Sequence, residues 1–516
     1  MPQRYLWPFT ILSFFAVSML FAWHYSSALT DAVATGLPSI ASSPPVLPLP
    51  VYNLPQEVYK NLGPYSPRYP LEEDEFIADS PPSSLFSKGC SVTQVNLLQR
   101  HGARFPTSSA GLKIEQVIAR IRLALQNDIN SIDPTLSWLN SYSYSYVGEQ
   151  LVDFGREQAF LTGRNFYVRY GHLGSSPFVR SPQKSRLSES GRWFKHGFES
   201  ASRSKRSRVK FRPEDISSLP KNDVEIPIGV DSNNTLSQRT CAAATSWKPE
   251  TKPHLTFLAQ SFPPIAAHLS AHFNLPGLNF TEKETLTLMS LCGFESAASM
   301  TGTGKRAGAS RWCSLFEEED WKSFEYYWDL QKYYVFSYGD PYARTLGSGW
   351  VNELVARLQE RIPQQGWPIG PLNTTLDSAW DTFPIGKGAP TIFADFTSDN
   401  SILPILAALS LLKPPSDLPS SHAPLESAFP VSQITPFAGN LIVERLTCRD
   451  PSSWTPRFYR KDSRWTDYVR VLVNDAPVPL QDCGPEGAER GICKLDTWIK
   501  NQAFSTDGGE WEKCYQ

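Results

Sequence analysis

The octapeptide at residues 100–107, RHGARFPT, places two arginines and a histidine within five positions. It follows residues 90–99, CSVTQVNLLQ, whose apolar run predicts a buried strand. Guanidinium groups match phosphate oxygens bidentately, and Gly102 allows a sharp turn close to a ligand. His101, held between two guanidinium groups, is disfavoured as a cation and can attack phosphorus as a neutral imidazole. The octapeptide therefore predicts a phosphate site, the alternative being an arginine-rich turn that makes only surface ion pairs.

A second strand-like segment, IFADFTSDN at residues 392–400, also ends in polar and acidic side chains. In open α/β sheets, ligands bind beyond the carboxyl ends of the strands. The octapeptide occupies such a position after its own strand. We therefore take the ends of these two strands as the candidate site.

The rest of the chain predicts the elements that must position this site. Further strand-like runs and helical patterns alternate along it: strands at 177–181, 440–446 and 470–475, and helices at 113–129, 149–171 and about 245–360. This order predicts an α/β core with a large inserted helical domain. The length of 516 residues suits two or three structural units. The net charge of −2 argues against a nucleic-acid partner, so phosphate recognition must be local.

The N-terminus carries a targeting signal within residues 1–28. Residues 6–23 contain no charged side chain and are long enough to cross a bilayer as a signal anchor. The alternative is a cleaved signal peptide, since Ser26-Ser27-Ala28 offers a small-residue cleavage site. Both alternatives send the chain into the secretory pathway, either anchored to the membrane with the catalytic domain outside the cytosol or secreted. Residues 29–85, rich in proline and serine, predict an extended stalk before a domain at 86–516. We expect this stalk to pack onto the domain only late, near LGPYSPRYP at residues 62–70.

The eight cysteines and three sequons fit that compartment. An even number of cysteines in an oxidising environment predicts four disulfides, and no C-x-x-C pair suggests zinc. We expect no metal and no cofactor. The sequons predict surface positions open to glycosylation at Asn233, Asn279 and Asn373.

Several segments together carry a family resemblance: GPYSPRYP, RHGARFPT, PFVRSPQKSRLSESGRWFKHGF, IFADFTSDN and VRVLVNDAPVPLQDC, in this order. The sequence resembles the fungal secreted histidine acid phosphatases of the phytase type, in the histidine phosphatase superfamily with the phosphoglycerate mutase-like fold. The resemblance covers most of residues 61–516. It implies an active site between an α/β core and a helical part, with these bounds: the core at about 86–109, 172–240 and 380–516, and the helical part at about 110–171 and 241–379.

The resemblance also implies roles for individual residues. His101 matches the nucleophile that becomes phosphohistidine, and Asp399 matches the acid that protonates the departing alcohol. Three arginines match phosphate ligands, namely Arg100, Arg104 and Arg180. Four cysteine pairs match family disulfides: Cys90–Cys448, Cys241–Cys514, Cys292–Cys313 and Cys483–Cys493. The implied activity is hydrolysis of phosphate monoesters at acid pH, with phytate as a candidate substrate and no metal required.

Two departures from the family pattern bear on this activity. Ser398 stands where the family His-Asp motif has histidine, so a neutral hydroxyl replaces a phosphate-binding imidazole. Two segments that carry substrate-binding lysines in phytase-type members have fewer here: SSAGLK leaves Ala110 and Lys113, and DLQKYY leaves Gln331 and Lys332. This difference favours esters bearing a single phosphate, unless other lysines compensate. The sequence therefore predicts an acid phosphomonoesterase that acts on a small-molecule ester. The alternative is a catalytically weakened or non-catalytic surface protein that binds phosphate ligands.

Overall fold

A computed structural model describes the following ranges: 49–69, 71, 89–127, 133–145, 148–204, 210–212, 216–229, 232, 234–237, 241–247, 251–300, 309–362, 374–449 and 465–516. The predicted anchor or signal peptide at 6–23 and the sequons at Asn233 and Asn373 lie outside them. None of the helices within these ranges is long and apolar enough to cross a membrane. Asn279 lies within them and is exposed, as predicted for a glycosylation site.

One mixed sheet forms the centre of the molecule. Its strands in the described ranges are β1 (Cys90–Arg100), β2 (Phe178–Pro182), β3 (Val224–Ile226), β4 (Ile392–Thr397), β5 (Asn440–Arg449), β6 (Trp465–Val473), β7 (Ala476–Pro477) and β8 (Ile492–Lys494). The order is β3-β2-β4-β1-β5-β6-β7, and β8 pairs with β6. Strands β3, β2, β4 and β1 are parallel, whereas β5 runs antiparallel to β1. The carboxyl ends of β1, β2 and β4 therefore meet at one edge.

Helices surround this sheet and build a separate helical part. Those in the described ranges are α1 (Gln56–Tyr59), α2 (Ser108–Asn127), α3 (Asp153–Tyr170), α4 (Ser185–Ser204), α5 (Ala242–Ser246), α6 (Pro253–Ser261), α7 (Pro263–Phe273), α8 (Glu282–Ser299), α9 (Glu318–Phe336), α10 (Ala343–Gln359), α11 (Thr374–Asp377), α12 (Asp399–Ala408), α13 (Val431–Ile434), α14 (Gly484–Arg490), α15 (Leu495–Asn501) and α16 (Ala503–Thr506). The predicted α/β fold with inserted helices is confirmed.

Helices α3 and α10 belong to the α/β core, because their side chains pack with those of the sheet. Side chains alternate between faces along a strand. Val95 and Leu97 of β1 pack with Phe166 of α3 and Phe194 of α4. Leu98 lies in another apolar cluster, which extends through α10 and α12 and into the helical part. Helices α3 and α10, which were predicted to lie in the helical part, thus pack against the sheet. Helical periodicity does not reveal which surface a helix covers.

The predicted stalk is shorter than the sequence suggested. Within residues 49–69, Tyr52 and Leu62 are buried in the main apolar cluster. The ring of Tyr65 lies 4.5 Å from that of Phe294, and Pro67 forms a β-bridge with Phe437. Residues 62–69 thus pack onto the folded body where the sequence predicted that the stalk would do so. Residues 49–61 also belong to this body, although their proline content had suggested an extended segment.

Four disulfides connect the cysteines in the predicted pairs: Cys90–Cys448, Cys241–Cys514, Cys292–Cys313 and Cys483–Cys493. No cysteine is left free. The first pair joins register partners at adjacent ends of β1 and β5. Cys241–Cys514 ties the C-terminal turn to a segment that borders the site described below. Each bridge contributes about 2–4 kcal/mol to the free energy of unfolding.

Candidate active site

The site begins where β1 and β4 end side by side. Arg100 and Thr397 are the last register partners of the two strands, and the amide of His101 donates to the carbonyl of Thr397 at 3.0 Å. Gly102 then passes against the backbone of Gly155 in α3, where a Cβ at either residue would clash. The glycine is thus required by packing against the helix that supports the turn.

His101 is held in the tautomer that a nucleophile needs. Its ring is 1% exposed, and Nδ1 lies 2.8 Å from the carbonyl oxygen of Gly102. A carbonyl can only accept, so Nδ1 carries the hydrogen and Nε2 keeps its lone pair. Burial, followed by the charges of Arg100, Arg104 and Arg186, lowers the pKa of His101 well below its usual value. The imidazole therefore stays neutral and nucleophilic in acid solution.

Arg100 is fixed by the backbone on two sides of the site. Its Nη1 donates to the carbonyl of Pro64, and to that of Thr435 at 2.7 Å. The guanidinium carbon lies 4.6 Å from the centre of the Phe437 ring, a cation–π contact. Its Nη2 lies 3.4 Å from Asp399 Oδ2. These contacts orient one arginine beside the histidine.

Arg104 and Arg186 provide two further cations. Arg104 Nη1 donates to the carbonyl of Phe105 at 2.8 Å, and Arg186 Nη1 donates to Glu149 Oε2 at 2.7 Å. Burial, then the charges of Arg186 and Arg100, lowers the pKa of Arg104 to about 10. Among the described residues, the buried Nε atoms of Arg100, Arg104 and Arg186 have no hydrogen-bond partner. Three unsatisfied donors with positive charge are what a phosphate group can satisfy.

Arg180 is not part of this group, and its assignment as the third phosphate arginine was wrong. It is the register partner of Asp395 and donates to both oxygens of that carboxylate, at 2.8 and 3.0 Å. It also pairs with Glu353, while Arg357 and Trp350 donate to the same Asp395. Arg180 thus belongs to a buried ion network in the core. Arg186, six residues later in α4, borders the pocket instead.

Asp399 is the first residue of α12, and its carboxylate lies next to the guanidinium of Arg100. Its Oδ2 is 2.8 Å from Lys332 Nζ, which also donates to Asn400 Oδ1 at 2.7 Å. Burial acts to raise the pKa of Asp399, but the positive charges of Arg100 and Lys332 hold it well below its usual range. The carboxyl group is therefore ionised before any substrate binds.

Ser398, the predicted neutral substitute for histidine, immediately precedes α12 and borders the pocket. Its Oγ lies 3.4 Å from Ser401 Oγ and makes no hydrogen bond that caps the helix. The hydroxyl is therefore placed to turn toward a ligand. Lys332 also borders the pocket, whereas Gln331 beside it does not.

These residues line an open pocket with a volume of about 490 Å³, much larger than one phosphate group. Its rim carries charges of both signs. Lys184 Nζ and Glu149 Oε2 lie 3.7 Å apart, and burial raises the pKa of Asp340 to about 6. Within the described ranges, no cluster of three or more His, Cys, Asp or Glu side chains is arranged to hold a metal ion.

Sequence reasoning located His101, Arg100, Arg104, Ser398 and Asp399, and the structure brings all five to this pocket. It missed Glu149, Lys184 and Arg186, which also line the pocket. The carboxylate of Glu149 pairs with both Lys184 and Arg186. The spacing of Lys184 and Arg186 just after β2, at the same sheet edge as the octapeptide, was the signal that could have identified them.

The chain is similar to known proteins in both sequence and fold. Residues 91–474 match the family model of the histidine phosphatase superfamily (branch 2). Phytase A of Aspergillus awamori is 33% identical over 458 residues, which cover 88% of this chain and 89% of that protein. Phytase A of Neurospora crassa is 30% identical over 525 residues, with coverage of 95% and 98%.

Solved structures share the fold. The phytase from D. castellii aligns with a TM-score of 0.66 at 20% identity, covering 90% of this chain and 93% of that chain. The multiple inositol polyphosphate phosphatase of Bifidobacterium longum, in complex with phosphate, aligns with a TM-score of 0.54 at 15% identity, covering 85% and 96%. With the family model matching most of its length, the chain belongs to the histidine phosphatase superfamily, branch 2.

Proposed function

We propose that this protein hydrolyses phosphate monoesters in acid solution through a phosphohistidine at His101. The observation that carries the proposal is the hydrogen bond from His101 Nδ1 to the carbonyl of Gly102, which leaves Nε2 as a free nucleophile. Around it, Arg100, Arg104 and Arg186 present unsatisfied Nε donors. Membership of a phosphatase superfamily supports the same chemistry.

The reaction has two steps. The lone pair of His101 Nε2 forms a bond to phosphorus as the ester P–O bond breaks, and the leaving oxygen takes a proton. Water then attacks the phosphohistidine, its proton returns to the acid group, and the N–P bond breaks to release phosphate. The arginines hold the phosphoryl oxygens and stabilise their charge, which is the main source of catalysis in phosphoryl transfer. We assign the third phosphate contact to Arg186.

Asp399 is proposed as the acid, which requires that it gain a proton on substrate binding. In the free pocket, Arg100 and Lys332 keep it ionised. A phosphate group bound to Arg100 adds negative charge near this carboxylate, and like charges raise a pKa. An ester that arrives as its monoanion also brings a proton into the pocket. Both effects favour activity in acid solution.

We propose phosphate monoesters as the substrate class and phytate as one candidate within it. The relatives named phytase support phytate, and the pocket is large enough for a bulky ester. Pocket cations are partly neutralised, because Lys184 lies near Glu149 and Lys332 pairs with Asp399. This pairing favours esters with few phosphates. We therefore expect p-nitrophenyl phosphate to be hydrolysed with a kcat/KM at least equal to that of phytate.

The alternative is a phosphate binder that has lost turnover at Ser398. Purified chain assayed with p-nitrophenyl phosphate and phytate from about pH 2.5 to 8, where aspartate and histidine titrate, separates the two functions. Hydrolysis that disappears in His101→Ala supports the phosphatase. Phosphate binding by calorimetry without hydrolysis of either ester would support the binder.

We propose the secretory pathway as the location. Four disulfides require an oxidising compartment for their formation. Whether residues 1–28 remain as an anchor or are cleaved stays a prediction, tested by N-terminal sequencing of the protein from membranes and from medium. An N-terminus near Leu29 in the medium would establish cleavage.

A further inference from the structure

Two buried carboxyl groups lie one helical turn apart on α9, beside the pocket. Glu325 is 6% exposed and Asp329 is fully buried. Neither makes a salt bridge with a cation among the described residues. The buried carboxylates of Asp395 and Glu444, by contrast, pair with Arg357 and Arg470. Two unpaired carboxylates cannot both remain ionised in such a site, because burial and mutual repulsion disfavour the second charge.

The pair binds the backbone of two separate segments. Glu325 Oε2 accepts from the amide of Gly63 at 2.6 Å, and Oε1 accepts from Ser432 at 2.9 Å. Asp329 Oδ1 accepts from the amide of Val431 at 2.8 Å. Asp329 Oδ2 accepts no hydrogen bond from a backbone amide within the described part of the chain, and the side chains of Ser427 and Glu325 interact with the Asp329 carboxyl group. Glu325 is therefore suited to be the carboxylate, and Asp329 to carry the proton.

The same two segments hold Arg100. Pro64, the residue after Gly63, supplies one carbonyl that accepts from Arg100 Nη1. Thr435, three residues after Ser432, supplies the other. The carboxyl pair thus fixes the two short stretches whose carbonyls orient a phosphate-binding guanidinium. It acts on the site through Arg100 and does not itself border the pocket.

We propose that Glu325 and Asp329 are positioning residues that share one proton in the working enzyme and hold Arg100 in its phosphate-binding orientation. Loss of this proton at rising pH then weakens phosphate binding. A second buried negative charge would repel the first and loosen both anchored segments. The inference rests on the proposed function only in taking Arg100 as a phosphate ligand.

The surroundings support a retained proton. Burial, then the charge of Glu325, raises the pKa of Asp329 well above its usual value. Several elements pack against α9 and bring titratable or charged groups near the carboxyl pair. These groups are Glu57 and Tyr59 of α1, Tyr65, His254 of α6 and Asp399 of α12, and the loop that follows α12 adds Asp417, His422 and Glu426. Burial lowers the pKa of His254 to about 4, so it supplies no positive charge near neutral pH. Lys332, on α9 itself, pairs with Asp399.

Asp329→Asn tests the proposal, because asparagine keeps an acceptor for Val431, can donate to Glu325 and cannot ionise. The full chain and the variant are titrated with inorganic phosphate by calorimetry from about pH 4 to 8, and kcat/KM for p-nitrophenyl phosphate is measured in parallel. We compare the two proteins at the pH where the phosphate affinity of the parent has fallen about tenfold from its maximum. At this pH we expect D329N to bind phosphate up to about tenfold more tightly than the parent, since one pKa unit corresponds to a factor of ten.

Two further variants make the test specific. Glu319→Gln removes one charge from the exposed face of the same helix, and its profile should follow that of the parent. Asp329→Ser also cannot ionise and can donate to Glu325, so it replaces D329N if the asparagine variant does not fold. Superimposable phosphate-affinity profiles of the parent and the non-ionisable variant would overturn the proposal. A parent that binds phosphate without hydrolysing esters would refute the proposed function, yet the binding profiles would still decide the role of the pair.

Discussion

Replacing Arg186 by alanine should abolish most catalysis while leaving the fold intact. Its Nη1 donates a hydrogen bond to Glu149, whereas its Nε has no hydrogen-bond partner among the described residues. The Nε–Nη2 edge is therefore left for a bidentate contact with phosphate. A hydrogen bond to a charged group contributes about 1.5–3 kcal/mol. Losing two therefore costs at least about 3 kcal/mol, or ~150-fold in kcat/KM.

The effect on stability should be small, because the partner of Arg186 is half-exposed. The side chain of Glu149 is 35% accessible, and ion pairs of this kind contribute up to about 1 kcal/mol. Arg180→Ala is the contrasting variant. It would leave Asp395 and Glu353 buried with less compensating charge, at a cost of about 3–5 kcal/mol in the free energy of unfolding.

Steady-state kinetics with p-nitrophenyl phosphate and thermal unfolding measure both effects. Arg186→Lys should fall between the parent and R186A, since it keeps the charge and loses the planar fork. If R186A kept kcat/KM within about threefold of the parent, Arg186 would not be a phosphate ligand. If R180A lost activity at unchanged stability, the phosphate role would return to Arg180.

Three further predictions concern the neighbouring groups. Ser398→His should raise kcat for simple esters, most strongly below about pH 6.5, where the new imidazole is charged; an unchanged or lower rate would mean that the pocket is built around serine. Asp399→Asn should slow esters with poor leaving groups much more than p-nitrophenyl phosphate, whose leaving group scarcely needs a proton, and equal slowing would exclude Asp399 as the acid. Because the pKa of Asp329 is raised in the folded protein, its contribution to stability is largest below its unfolded pKa of about 3.9 and is lost as the pH rises. Thermal midpoints of D329N should therefore fall less than those of the parent between about pH 4 and 8, and parallel curves would contradict the retained proton.

The sequence predicted which end of the sheet carries the candidate site, because local chemistry and position coincide there. Arg100, His101 and Arg104 follow a buried strand, and Asp399 follows its parallel neighbour. The disulfide partners followed from family resemblance. Long-range pairs such as Cys90 with Cys448 could not be derived from spacing, because the sheet register that joins them is set by tertiary structure.

Arg180 shows what the sequence could not resolve. An arginine in a short strand can point toward a ligand or into the core, and only the pairing with β4 reveals that Arg180 faces Asp395. Arg186 was missed because it lies in the first turn of a helix, where an exposed cation is ordinary. The role of Glu325 and Asp329 was also hidden, since their partners are backbone amides far away in the chain.

Trapping the reaction intermediate shows whether His101 becomes phosphorylated during turnover. The purified chain is mixed with excess p-nitrophenyl phosphate, denatured under alkaline conditions that preserve the acid-labile phosphohistidine, and digested for peptide mass spectrometry. We expect a phosphate on His101 in the parent, no such peptide in His101→Ala, and loss of more than nine-tenths of the activity in that folded variant, a factor of about ten or more in rate. Turnover in the parent with phosphate on a different residue, or substantial activity in H101A, would show that His101 is not the nucleophile.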